Sequence, residues 1–253
     1  MGKLKDLAMV KSTNTNTFAY LPPDAAFDAM RILVKVDLGT VMQPHSPVSM
    51  PVLASVLRGL RRASPLGRIV VIEGIASNQD SQAIFDELGI INLLDNEMRI
   101  TDADNLIMHE YPNQRTEPAI YPTMTATEYI KDYDCVVSIS TLKQHTVNGD
   151  DAQVGASLKN LLGIFPQAQY ETEFAAATLD DLLADVYFTI GQYIDGAVID
   201  LTHLYTDDEA ISFGKVVWGD DLLSVDEVAC QMANIPAPSY IKAIRTIRKQ
   251  QAK

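Results

Sequence analysis

Three observations predict an α/β fold, layered around a largely parallel or mixed sheet with helices on both faces. Short apolar runs alternate with amphipathic stretches along nearly the whole chain, the pattern of strands joined by covering helices. Two of those runs, Gly67–Glu73 (GRIVVIE) and Asp134–Ile139 (DCVVSI), are apolar at almost every position, as strands buried on both faces are. The chain has 253 residues, enough for one such core, since single cores rarely grow beyond roughly 250–300 residues. Residues 1–30 read as an irregular N-terminal segment and 31–253 as a single α/β domain.

Taken in order, Ser12–Thr17 is polar and reads as a loop. Arg31–Leu38 alternates, with Ile32, Val34, Val36 and Leu38 on one side and Lys35 and Asp37 on the other, and reads as a strand. A proline-rich loop holding His45 follows, then a helix over Val48–Ala63 with Pro51 in its first turn, where proline is tolerated. After the Gly67–Glu73 strand, Asn78–Leu88 reads as a helix stopped by Gly89. Asn105–His109 is a candidate strand, Glu110–Pro122 a loop and Thr125–Lys131 a short helix. Beyond the Asp134–Ile139 strand, Val154–Leu162 and Thr178–Tyr193 carry apolar residues at helical spacing. Ala197–Leu201 and Lys215–Trp218 are strand-like, and Leu223–Asn234 and Ser239–Lys249 are the final helices.

Composition narrows the function. The formal net charge is −13, which repels nucleic-acid phosphates in the absence of a concentrated basic stripe. Cys135 and Cys230 are the two cysteines, too few for a disulfide framework, a structural zinc site or an intrinsic iron–sulfur cluster. No run of about 18 apolar residues is present to span a bilayer. The N-terminus lacks the long apolar stretch of a secretory signal. These features imply a reducing cytoplasm, with neither nucleic acid nor membrane as partner, and leave homo-oligomerisation open.

Ligands in α/β sheets gather beyond the carboxyl ends of the strands. Residues there include Lys35 and Asp37 with His45; Glu73; Ser140, Lys143 and His145; His203; and Asp221 with Asp226. The segment from Lys143 to Gly163 carries the most specific signal. Lys159 lies between Leu158 and Asn160-Leu161, so it borders the apolar side of its helix. An ammonium there needs an anionic partner: Asp221, Asp226, or the carboxylate or phosphate of a substrate. There is no phosphate-binding loop, dinucleotide fingerprint, zincin motif or nucleophile elbow.

The runs Ile139–His145 (ISTLKQH) and Ser157–Gly163 (SLKNLLG) resemble the family catalogued as domain of unknown function 362, in which a strand leads to Lys-x-Lys-x-His and a helix carries Lys-Asn-x-x-Gly. Leu33–Asp37 is similar to that family's early Lys-Pro-Asn segment, and Asp221–Asp226 to its late Asp-Pro-x-Ala-x-Asp segment. The chain departs from the pattern at Val36, Asp37, Thr141 and Leu222, and it lacks the ferredoxin-like cysteine cluster that many relatives carry. The resemblance implies a site but names no reaction.

Three readings follow. In the first, Lys143, Lys159 and Lys35 hold a small anionic molecule, His145 is its general acid or base, and Asp37, Ser157, Asn160, Asp221 and Asp226 line the site. In the second, His45, His145 or His203 joins Asp37, Asp221 or Glu73 around a metal ion. In the third, the acidic surface and the proline-rich Tyr111–Pro122 loop serve a redox or assembly partner without catalysis.

Overall fold

A computed structural model describes residues 9–39, 47–74, 80–115, 120–147, 151–166 and 178–251. An eight-stranded mixed sheet carries helices on both faces. Its parallel centre consists of β2 (Arg31–Val36), β3 (Arg68–Glu73), β4 (Met98–Asp102), β7 (Cys135–Val147) and β9 (Gly196–Tyr205). Antiparallel strands flank it: β10 (Ala210–Gly219) pairs with β9, β1 (Lys11–Asn14) pairs with β10, and β8 (Asp151–Gly155) folds back on β7. Across the sheet the order is β1-β10-β9-β7-β2-β3-β4. A separate hairpin pairs β5 (Met108–Pro112) with β6 (Thr123–Thr127).

The alternation of side chains along each strand feeds two cores. Ile32, Val34, Val36, Val71 and Val137 join α1 (Met50–Ala63) and Phe85 of α2 (Ser81–Glu87) on one face. Leu33, Val70, Ile72 and Val136 join α5 (Leu179–Thr189), α6 (Leu222–Met232) and α7 (Ser239–Gln251) on the other. Two very short helices complete the described set, α3 (Tyr129–Asp132) and α4 (Ser157–Asn160). Helix ends follow local chemistry: Asp80 accepts from the amides of Gln82 and Ala83 at the start of α2, and Thr178 accepts from Asp181 at the start of α5. Gly89 closes the turn after α2 at φ +69°.

Several expectations are corrected. Ser12–Thr17 is no loop: Lys11–Asn14 forms the edge strand against Lys215–Trp218, which its β-branched threonine suits, and Thr15–Thr17 is a 3-10 turn. The expected helix over Val154–Leu162 splits. Asp151–Gly155 extends as β8, α4 keeps only four residues, and a 3-10 turn takes Leu161–Ile164. The expected short strand at Cys135 runs on through Lys143 and His145 to Val147. Of the expected helix over Thr125–Lys131, Thr125–Thr127 belong to β6, which pairs with Met108–Pro112, and α3 begins only at Tyr129. No helix of the described residues is long and apolar enough to cross a membrane.

Asp226, fully buried on α6, ties α4 to the C-terminal helices. One carboxylate oxygen accepts from the Ser157 amide (2.9 Å) and hydroxyl, and the other from the Tyr240 hydroxyl (2.8 Å) and the Leu158 amide (3.3 Å). Burial pushes this carboxyl up to about 6, against the lowering effect of those hydrogen bonds. Because the folded-state value is raised, protonation favours the folded protein. The stability it contributes is fully present below the unfolded-state value of about 3.9 and is lost as pH rises through about 6. Asp226→Asn removes the titration. The unfolding free energy of the wild type minus that of the variant should therefore fall by on the order of 2 kcal/mol between about pH 4 and about pH 7. Urea unfolding across that range measures it, and a pH-independent difference would contradict it.

Candidate functional site

Strand β2 is covered on both faces, so Lys35 has nowhere to reach solvent and is 1% exposed. A buried ammonium is tolerated only when paired and hydrogen-bonded. Lys35 Nζ donates to the Val36 carbonyl (2.8 Å), to Glu73 Oε1 and to Asn160 Oδ1 (2.9 Å), which uses all three of its hydrogens. Glu73 ends the neighbouring strand and is itself buried. Its carboxylate also accepts the amides of Leu38 (2.6 Å) and Gly74 (2.8 Å). Burial raises the Glu73 carboxyl above the ordinary range even though Lys35 lowers it.

Asn160 completes this arrangement from α4. Its amide nitrogen donates to the Lys35 carbonyl (3.1 Å), the Ile139 carbonyl (3.1 Å) and Ser138 Oγ (3.0 Å). One side chain thus clasps the end of β2 to the middle of β7. Ser138 in turn donates to the Ser157 carbonyl (3.0 Å), which holds α4 against the sheet. The approach is close enough to require two glycines. A methyl group at Gly163 would lie 2.9 Å from Lys35 Cε and 3.2 Å from Glu73 Oε1, and one at Gly74 would lie 2.4 Å from the Gly163 carbonyl oxygen. The lysine, asparagine and glycine of the Lys-Asn-x-x-Gly run therefore have distinct tasks, two of them structural.

Beside the clasp lies a more open polar group. Asp37, just past the end of β2, pairs with Lys143 Nζ at 2.8 and 3.1 Å, and the two side chains are 18% and 16% exposed. Asp37 also accepts the Gly39 amide (3.0 Å) and a long contact from Thr141 Oγ1 (3.4 Å). Lys159 approaches from α4. Its aliphatic stem lies against Gly155 at the end of β8, where a methyl group would stand 2.8 Å from Cδ and 3.5 Å from Nζ. Among the described residues, the Lys159 ammonium has no hydrogen bond and no ion pair. Burial pushes it below the usual lysine range, the neighbouring Lys143 charge pushes it further, and Asp37 opposes both. His145, two residues beyond Lys143 on the same strand and so on the same side, places Nδ1 2.8 Å from Asp207 Oδ1.

The other candidates separate from this group. Lys35 cannot grip a ligand while its three hydrogens are committed. Asp221 and Asp226 do not partner Lys159. Asp221 caps α6, accepting the Ser224 amide (2.8 Å) and hydroxyl, and Asp226 is spent on Ser157, Leu158 and Tyr240. Ser157 is fully buried in that network. His203 lies near the Tyr205 ring, with centroids 5.9 Å apart, and His45 falls outside the described residues. Among the described residues no three His, Cys, Asp or Glu side chains converge to hold a metal ion. Sequence reasoning named Glu73 as a strand-end residue and a candidate metal ligand, not as the partner of Lys35, and it gave no structural task to Gly74, Gly155 or Ser138. The signal for Glu73 was an acid closing an otherwise apolar strand beside one that carries a buried lysine.

A family model described as a domain of unknown function, DUF362, matches residues 32–231, well over half of the chain. No curated protein matches the sequence. Among solved structures, the chain is similar to the lactate racemase apoprotein from Thermoanaerobacterium thermosaccharolyticum, with 14% sequence identity and a TM-score of 0.47. That likeness covers 72% of this chain but 44% of the other, so the chain spans less than half of that protein's length.

The two lysine pairs should respond differently to truncation. Lys35→Met leaves Glu73 buried without its cation and should cost about 3–5 kcal/mol. Lys143→Met breaks a partly solvated pair and should cost about 1 kcal/mol or less. Chemical unfolding of both variants, with the denaturant slope held constant as a check, measures the order, and the reverse order would remove the structural role assigned to Lys35.

Proposed function

Because the chain belongs to the DUF362 family, whose description names no reaction, we propose its function from the site itself: it binds a small anionic ligand, a carboxylate or phosphate, between Lys143 and Lys159. The observation that carries this reading is Lys159, a largely buried cation without a partner among the described residues and next to a second lysine. A folded protein gains nothing in stability from such a group, since desolvating an unpaired charge is unfavourable. A ligand carboxylate or phosphate supplies the missing charge. Lys35 and Glu73 neutralise one another, and Asp37 offsets Lys143. With Lys159 protonated, the group therefore carries one net positive charge in a chain whose overall charge is −13.

Position supports the same reading. Asp37, Lys143 and Lys159 gather beyond the carboxyl end of β2, and open α/β sheets bind their ligands beyond the carboxyl ends of their strands. Lys143 makes two contacts to Asp37 and keeps a hydrogen for a ligand. His145, oriented by Asp207, lies on the same side of β7 as Lys143.

Two results follow for Lys159→Met. Without ligand, the variant should melt at the same temperature as the wild type or higher, because a desolvated charge has gone. With inorganic phosphate, malonate or pyruvate added, the wild type should show a concentration-dependent rise in Tm that the variant loses. Differential scanning fluorimetry reads both, and an equal ligand-induced rise in the two proteins would overturn the assignment.

A further inference from the structure

Resting on the anion site described above, we propose that Lys159 is a nucleophile: its amine condenses with the carbonyl carbon of a small 2-oxo acid whose carboxylate is held by Lys143. Three features of the geometry lead there. The stem of Lys159 lies along the backbone at Gly155, where an added methyl group would stand 2.8 Å from its Cδ. Its terminal nitrogen is uncommitted among the described residues, in contrast to Lys35, whose hydrogens all have acceptors. Finally, a second cation stands beside it, fixed by Asp37. One lysine can therefore hold the charge of a ligand while the other meets an atom next to that charge.

Condensation needs the free amine. Burial and the Lys143 charge both disfavour the ammonium form of Lys159, and desolvation or an adjacent cation is the usual means of activating an amine for imine formation. The step balances without an added oxidant or reductant. The nitrogen lone pair forms a C–N bond and the carbonyl π pair moves to oxygen, giving a carbinolamine. That oxygen then leaves as water with both amine hydrogens, and the imine remains. A carboxylate adjacent to the carbonyl gives the ligand the charge that Lys143 retains, so the same two lysines select a 2-oxo acid over a simple aldehyde.

The test uses the full chain and pyruvate as probe. Protein is incubated with pyruvate and cyanoborohydride near neutral pH, digested and mapped by mass spectrometry. The expected result is a reduced pyruvyl group on Lys159 in clear excess over every other lysine. Inorganic phosphate should suppress that labelling, and acetaldehyde, which has no carboxylate for Lys143 to hold, should label Lys159 less than pyruvate does. Labelling that is absent or evenly spread, while phosphate or pyruvate still raises the Tm, overturns the imine and leaves the anion site standing. If neither labelling nor a Tm shift occurs, both fall.

Discussion

The structure depends on one buried cation being fully satisfied. Lys35 sits in the middle of a sheet where neither face offers water, and three acceptors from three different parts of the chain meet it there. Glu73 comes from the neighbouring strand, Asn160 from α4 and the Val36 carbonyl from its own strand. In a low-dielectric interior such a network is stabilising only when complete, since each missing partner leaves a desolvated group behind. The carboxyl ends of β2 and β3 and the position of α4 are therefore set together, not one by one. The more open Asp37–Lys143 pair inherits its position from this arrangement, because Asp37 directly follows β2 and Lys143 continues β7.

Lys159 and Asn160 are adjacent in sequence and opposite in role. Asn160 faces the sheet and spends its amide on two backbone carbonyls and a serine. Lys159 turns toward β8 and the open group. Four residues of helix are enough to present one side chain to the sheet and the next toward the Asp37–Lys143 pair, because successive helical residues point about 100° apart. A conserving substitution at one position says little about the other, and effects on stability and on binding should separate along this pair.

Much of the fold could be read from the sequence, and the parts that could not have identifiable causes. The buried strands β2, β3 and β7 and helices α1, α5, α6 and α7 announce themselves by apolar period, which is the strongest local signal. The segment from Asp151 to Ile164 misled because Val154, Leu158, Leu161 and Leu162 are spaced as in a helix, whereas pairing with β7 holds the first five residues extended. Edge strand β1 was hidden by its polar residues, which an edge tolerates. For the site, Lys143, Lys159 and Asn160 stood out as polar residues in apolar surroundings. Their partners did not, because the sequence does not say which of several acids a lysine will meet. Lys35 and Lys159 look alike as lysines beside apolar residues, yet among the described residues only the first forms an ion pair. The late aspartates were plausible partners until their oxygens were found committed to helix capping and to Tyr240.

The link from Tyr240 through Asp226 to Ser157 has a mechanical consequence. With four residues, α4 is too short to hold its own direction, since isolated helices of even a dozen residues are marginal. Its bearing is borrowed from α6 and α7, through a carboxylate gripped on one side by the start of α4 and on the other by a tyrosine of the last helix. The aim of Lys159 is thus referenced to the C-terminal helix pair as a theodolite is referenced to its tripod. Any tilt of α7 would reach the lysine through a single carboxylate.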